Sequence, residues 1–101
     1  MKTLLIAAAL AVGATGALAN ADEALNKAGC MACHAKDKKL VGPSFKDIAA
    51  KYKGQEATAR LMEKVRKGGS GSFGPIPMPP HPPEKIQDAD LKAAVELILK
   101  G

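Results

Sequence analysis

Three features of the chain predict an all-α domain of about four short helices. Apolar residues recur at helical spacing in four stretches, 22–29, 45–53, 55–67 and 88–100. No alternating run of β-branched residues reads as a strand. Between the third and fourth stretches lies a segment so dense in proline that neither helix nor central strand can form in it.

The chain opens on Met1-Lys2, an apolar run from Leu4 to Val12, and the small-residue pattern Ala17-Leu18-Ala19. That order is the order of a secretory signal peptide, here residues 1–19, followed by one small domain over 20–101. The run is too short and wrongly flanked for a spanning helix. It is apolar all round, which disfavours a retained amphipathic anchor, so no stable membrane insertion is expected after cleavage. The domain is therefore expected in the periplasm.

Fifteen Lys and Arg against ten Asp and Glu give a net charge of +5, lowered by one when Lys2 leaves. The basic residues are scattered and accompanied by only one Tyr and two Phe, a composition that argues against nucleic acid. A mildly basic face suits acidic protein partners better. With three aromatics and no Trp, the hydrophobic core is thin. A domain of this size usually needs a staple.

The first helix, Asp22 to Gly29, carries acids at its start, where the helix dipole favours them. Leu25, Ala28 and Gly29 share one face. Gly29 either lets another helix approach closely or simply breaks the helix. Next comes Cys30-Met31-Ala32-Cys33-His34, which holds both cysteines and one of the two histidines. C-x-x-C-H reads as a c-type haem attachment site. The thiols of Cys30 and Cys33, about one helical turn apart, would add to the vinyl groups on one edge of a flat macrocycle. His34 would then be carried beneath the ring as proximal iron ligand. A bare C-x-x-C also fits a redox dithiol or half of a zinc site. The dithiol wants a strand before it, and zinc wants four suitably spaced ligands, where the chain has at most Cys30, Cys33, His34 and His81.

A charged loop with Lys36, Lys38 and Lys39 leads to Val41-Gly42-Pro43-Ser44. A ligating His usually donates its second ring nitrogen to a carbonyl. Pro43, nine residues after His34, offers one; it also serves as a turn before the next helix. That helix, Phe45 to Lys53, places 45, 48, 49 and 52 inward and stops at Gly54. A third runs from Gln55 to Lys67 with Ala57, Leu61, Met62 and Val65 on its inner face, Met62 being read as core.

Prolines at 75, 77, 79, 80, 82 and 83 stiffen an extended loop with Met78 in its middle. Alone, the segment reads as a proline-rich linker or recognition segment. With Cys30–His34 in the same chain, Met78 reads as the second axial ligand, completing a His/Met pair. His81 is the rival ligand, or else an exposed loop residue near the haem rim. The last helix starts at Asp88-Ala89-Asp90 and carries the stripe Leu91, Ala94, Val95, Ile98, Leu99, predicted to pack on the first helix near Leu25 and Gly29.

The segments Lys27–His34, Val41–Tyr52 and Gly74–Pro80 together make the mature chain resemble the small bacterial class I cytochromes c of the c-551/c-552 type. The resemblance implies the class I cytochrome c fold, about four short helices around one covalently bound haem c, with the first and last helices crossing. It implies thioethers at Cys30 and Cys33, axial ligation by His34 and Met78, and the Pro43 carbonyl accepting from His34. Phe73 and Ile76 are expected to pack on the haem. Three features depart from the family pattern. Phe73 stands where Trp usually donates to a haem propionate, and His81 stands where Asn or Gln is common. Leu97 lies near a usual aromatic, after a longer connection from His81.

The function expected is one-electron transfer, since two protein ligands leave no open site on the iron. That argues against an enzyme. A sensor or enzyme haem domain, in which Met78 yields to a small ligand, is the alternative. The expected partners are redox proteins. By resemblance the donor is a quinol-oxidising cytochrome complex and the acceptor a terminal oxidase, nitrite reductase or peroxidase. A monomer is expected.

Overall fold

The computed structural model describes residues 21–101; the leader assigned to residues 1–19 lies outside the described residues. Among the described residues four α-helices follow one another: α1 (Ala21–Lys27), α2 (Phe45–Lys51), α3 (Thr58–Lys67) and α4 (Asp88–Leu99). A single 3₁₀ turn, Cys30–Ala32, follows α1. Among the described residues there is no strand, only two isolated bridges, His34 with Lys39 and Gly69 with Met78.

Local chemistry explains where each helix begins and ends. Gly29 has φ +82 and is exposed, and a Cβ there would meet nothing within 4 Å. The close-approach reading of Gly29 is thus overturned: it is a breaker, and the helix contact falls on Leu25 and Ala28 instead. Ser44 starts α2, its hydroxyl accepting from the Asp47 amide at 3.0 Å. Predicted to begin at Gln55, α3 begins at Thr58. The Gln55 amide bonds back to the Tyr52 carbonyl at 3.0 Å and so belongs to the turn leaving α2.

The core joins Ala24, Leu25 and Ala28 of the first segment to Phe45, Ile86, Leu91, Ala94 and Val95. Helix α4 packs against α1, α2 and α3 in turn. The inner stripe of α3, Leu61, Met62 and Val65, packs on this core from the side and is only partly buried. Ile86 is 5% exposed, although it stands alone in a polar stretch. A turn closed by the Lys85 amide on the Pro82 carbonyl (2.9 Å) brings it inward.

Candidate haem-binding site

One cleft of about 410 Å³ opens between α2, α3, α4 and the two long loops. Cys30, Cys33, His34, Pro43, Phe73, Ile76 and Met78 all line it. The rest of its wall is mainly aliphatic: Leu25, Ile48, Leu61, Val65, Ile86, Leu91, Val95 and Ile98.

The proximal side is built from the motif outward. The 3₁₀ turn bonds the amides of Cys33 and His34 to the Cys30 carbonyl, at 3.2 and 3.0 Å, which sets both thiols and the imidazole on one short bend. Both cysteines are free and half-buried. Burial pushes the Cys30 thiol above its ordinary pKa, a backbone hydrogen bond opposes this, and neighbouring Cys33 adds to it. The chain then folds back, with the Gly42 amide on the Cys33 carbonyl at 2.8 Å. This return brings the Pro43 carbonyl to 2.7 Å from His34 Nδ1. A carbonyl only accepts, so Nδ1 is the donor here, and Nε2 is the ring nitrogen left to face a metal. Phe45 stacks on the imidazole, centroids 5.5 Å apart. Gly42 passes so near the ring that a Cβ would lie 2.6 Å from His34 Cε1 and 3.0 Å from Nδ1.

The distal side is built from the proline-rich segment. Met78 is half-buried and exchanges two backbone hydrogen bonds with Gly69, each 2.9 Å. His81 is neither exposed nor on the cleft wall, contrary to its reading as a rim residue or rival ligand. It is 8% exposed, and its ring donates from Nδ1 to the Pro79 carbonyl at 2.9 Å. Its amide donates to the Val65 carbonyl at 2.9 Å, and its own carbonyl accepts from Arg66 at 3.0 Å. Arg66 also pairs with Asp88 at the start of α4. These partners come from distant parts of the chain, so the sequence around His81 carries no sign of them.

Phe73 and Ile76 reach the cleft from the outer loop and stay largely exposed. The Lys51 ammonium sits 4.9 Å over the Phe73 ring and donates to the Ser72 carbonyl at 2.9 Å, tying this loop to α2. Lys39 and Lys64 also line the cleft, cations that suit an anionic rim on the ligand. Lys64 was detectable in principle: it lies three residues after Leu61, on the same helical face.

These donors fit a haem. Two free thiols and an imidazole sit at one side, a thioether is carried on a separate loop, and the walls are apolar. Gly42 leaves space against the imidazole that any side chain would fill.

Comparison with known proteins agrees. The cytochrome c family model matches residues 18–101. Cytochrome c2 of Rubrivivax gelatinosus is 53% identical over 79 residues, covering 77% of this chain and 93% of that one. Cytochrome c-552 of Hydrogenobacter thermophilus is 40% identical over 98% of this chain and 97% of its own. The crystal structure of Nitrosomonas europaea cytochrome c552 superposes with a TM-score of 0.69 at 44% identity, covering 78% of this chain and 96% of that one. The chain belongs to the cytochrome c family, in its class I, c-551/c-552 branch, whose members hold one covalently attached haem c and carry electrons rather than catalyse reactions.

Proposed function

We propose that this cytochrome is a periplasmic one-electron carrier with six-coordinate iron, ligated by His34 and Met78 and fixed by thioethers at Cys30 and Cys33. The observation that carries the reading is that the thiols, the imidazole and the Met78 thioether line one apolar cleft. Haem, when bound, supplies the redox-active iron. The chain's part is to orient His34 through Pro43, to present Met78 from a stiff loop, and to keep water away with aliphatic walls. A Met/His pair raises the potential relative to harder ligand sets.

Residues 1–19 are read as a cleaved leader and 20–101 as the mature, monomeric domain. The redox partners by this reading are a quinol-oxidising cytochrome complex as donor and a terminal oxidase, nitrite reductase or peroxidase as acceptor.

Spectroscopy of the purified holoprotein tests the site. The c-type α-band is expected to survive acid–acetone extraction, and the oxidised protein to have a sulfur-to-iron charge-transfer band. Met78→Ala is expected to abolish that band and lower the potential. An unchanged band and potential would remove Met78 from the ligand set. Carbon monoxide binding by the native reduced protein at neutral pH would favour a sensor instead. Osmotic-shock fractionation checks the location.

A further inference from the structure

The distal loop hangs from the C-terminus of α3. Gly68 ends that helix with φ +72, its amide on the Lys64 carbonyl at 2.7 Å. The next residue, Gly69, binds both the amide and the carbonyl of Met78. A Cβ on Gly68 would point into this bridge. It would overlap the Met78 carbonyl oxygen and lie 2.9 Å from the Pro80 nitrogen and 3.0 Å from the Pro79 carbonyl carbon. All three are backbone atoms, which cannot swing aside as the end of a long side chain can. Gly54 also has a positive φ (+79), yet a Cβ there meets nothing within 4 Å.

We propose that Gly68 is a positioning residue for the distal ligand: its missing side chain lets the Met78–Pro80 backbone close onto the end of α3 and thereby sets where the Met78 sulfur stands. The inference rests on the reading of Met78 as ligand. Pro77 and Pro79 flank Met78 and fix their own φ angles. A push on the Met78 carbonyl is therefore passed to the side chain instead of being absorbed by neighbouring torsions. Displacements of this kind matter most where a reacting or ligating atom must sit within a fraction of an ångström.

The test compares Gly68→Ala with Gly54→Ala, each as haem-loaded protein. Both place alanine at a positive φ; Gly68, with ψ −157, lies in a region open essentially to glycine and adds the clash with the Met78–Pro80 backbone. Gly68→Ala is expected to lose most of the sulfur-to-iron band and the upfield-shifted methionine methyl signal, and to bind carbon monoxide when reduced. Gly54→Ala is expected to keep both signals at wild-type intensity, while unfolding at lower denaturant. Equal retention in both, or equal loss in both, would overturn the proposal. Absence of the band from the wild type would instead overturn the ligand reading itself, and this inference with it. Native-state amide exchange keeps the test open should Gly68→Ala not fold. In the wild type the Met78 and Gly69 amides are expected to open together with that of Gly68. A Met78 amide exchanging independently of the other two would refute the coupling.

Discussion

Two adjacent residues hold the His34 ring by what they lack and what they offer. Gly42 lacks a side chain that would meet the imidazole at 2.6 Å. Pro43 offers a carbonyl, a group every residue has, at 2.7 Å. The two substitutions therefore differ sharply. Pro43→Ala retains the acceptor and is expected to cost only the lost chain stiffness, about 0.4–1 kcal/mol in denaturant unfolding. Gly42→Ala must push the ring aside and is expected to cost about 1–3 kcal/mol, as overpacked sites do. With His34 as the proposed iron ligand, it should also shift the reduction potential, because the Nδ1 hydrogen bond tunes such a ligand. The five contiguous residues Cys30–His34 announced the site in sequence because their chemistry is local. The contact of Gly42 with His34 and the burial of His81 were not legible. Both depend on where the chain returns, and no residue type encodes a return.

At the scale of elements, α4 is the member that touches all the others. Its stripe was readable because burial on one face leaves a 3.6-residue period. Leu91 is 2% exposed, whereas Leu97 is only partly buried. Leu91→Ala is expected to cost about 2–5 kcal/mol, in the range for a fully buried leucine, and Leu97→Ala clearly less. Urea titration of the two holoproteins measures the difference. The start of α3 and the inward turn of Ile86 escaped sequence reading for one reason. Both are decided by hydrogen bonds between backbone groups, Gln55 to Tyr52 and Lys85 to Pro82, which any side chain permits.

Over the whole molecule, charge and core size matter more than any one contact. Lys36, Lys38, Lys39 and Lys46 are exposed near the motif. Lys27 is paired instead, 3.8 Å from Glu23 on its own helix. With an acidic redox partner, Lys39→Glu together with Lys46→Glu is expected to slow association several-fold at low salt, and to make little difference near 1 M salt, where the Debye length is about 3 Å. Stopped-flow rates across ionic strength decide it; flat rates for the wild type would leave these lysines no steering role. The thin core makes the haem a structural part. Cys30→Ala with Cys33→Ala is expected to leave little helical signal in circular dichroism, since the cleft walls would lose their filling.

The position of α4 in chain order has a consequence for timing. Leu25, Ala28 and Phe45 find their partners on α4, the described helix farthest along the chain from Leu25. Until it docks, the earlier helices have little to close against, and helices this short are marginal alone. The core therefore forms through contacts of long sequence separation, the kind that is slow to make because the intervening chain must be ordered first.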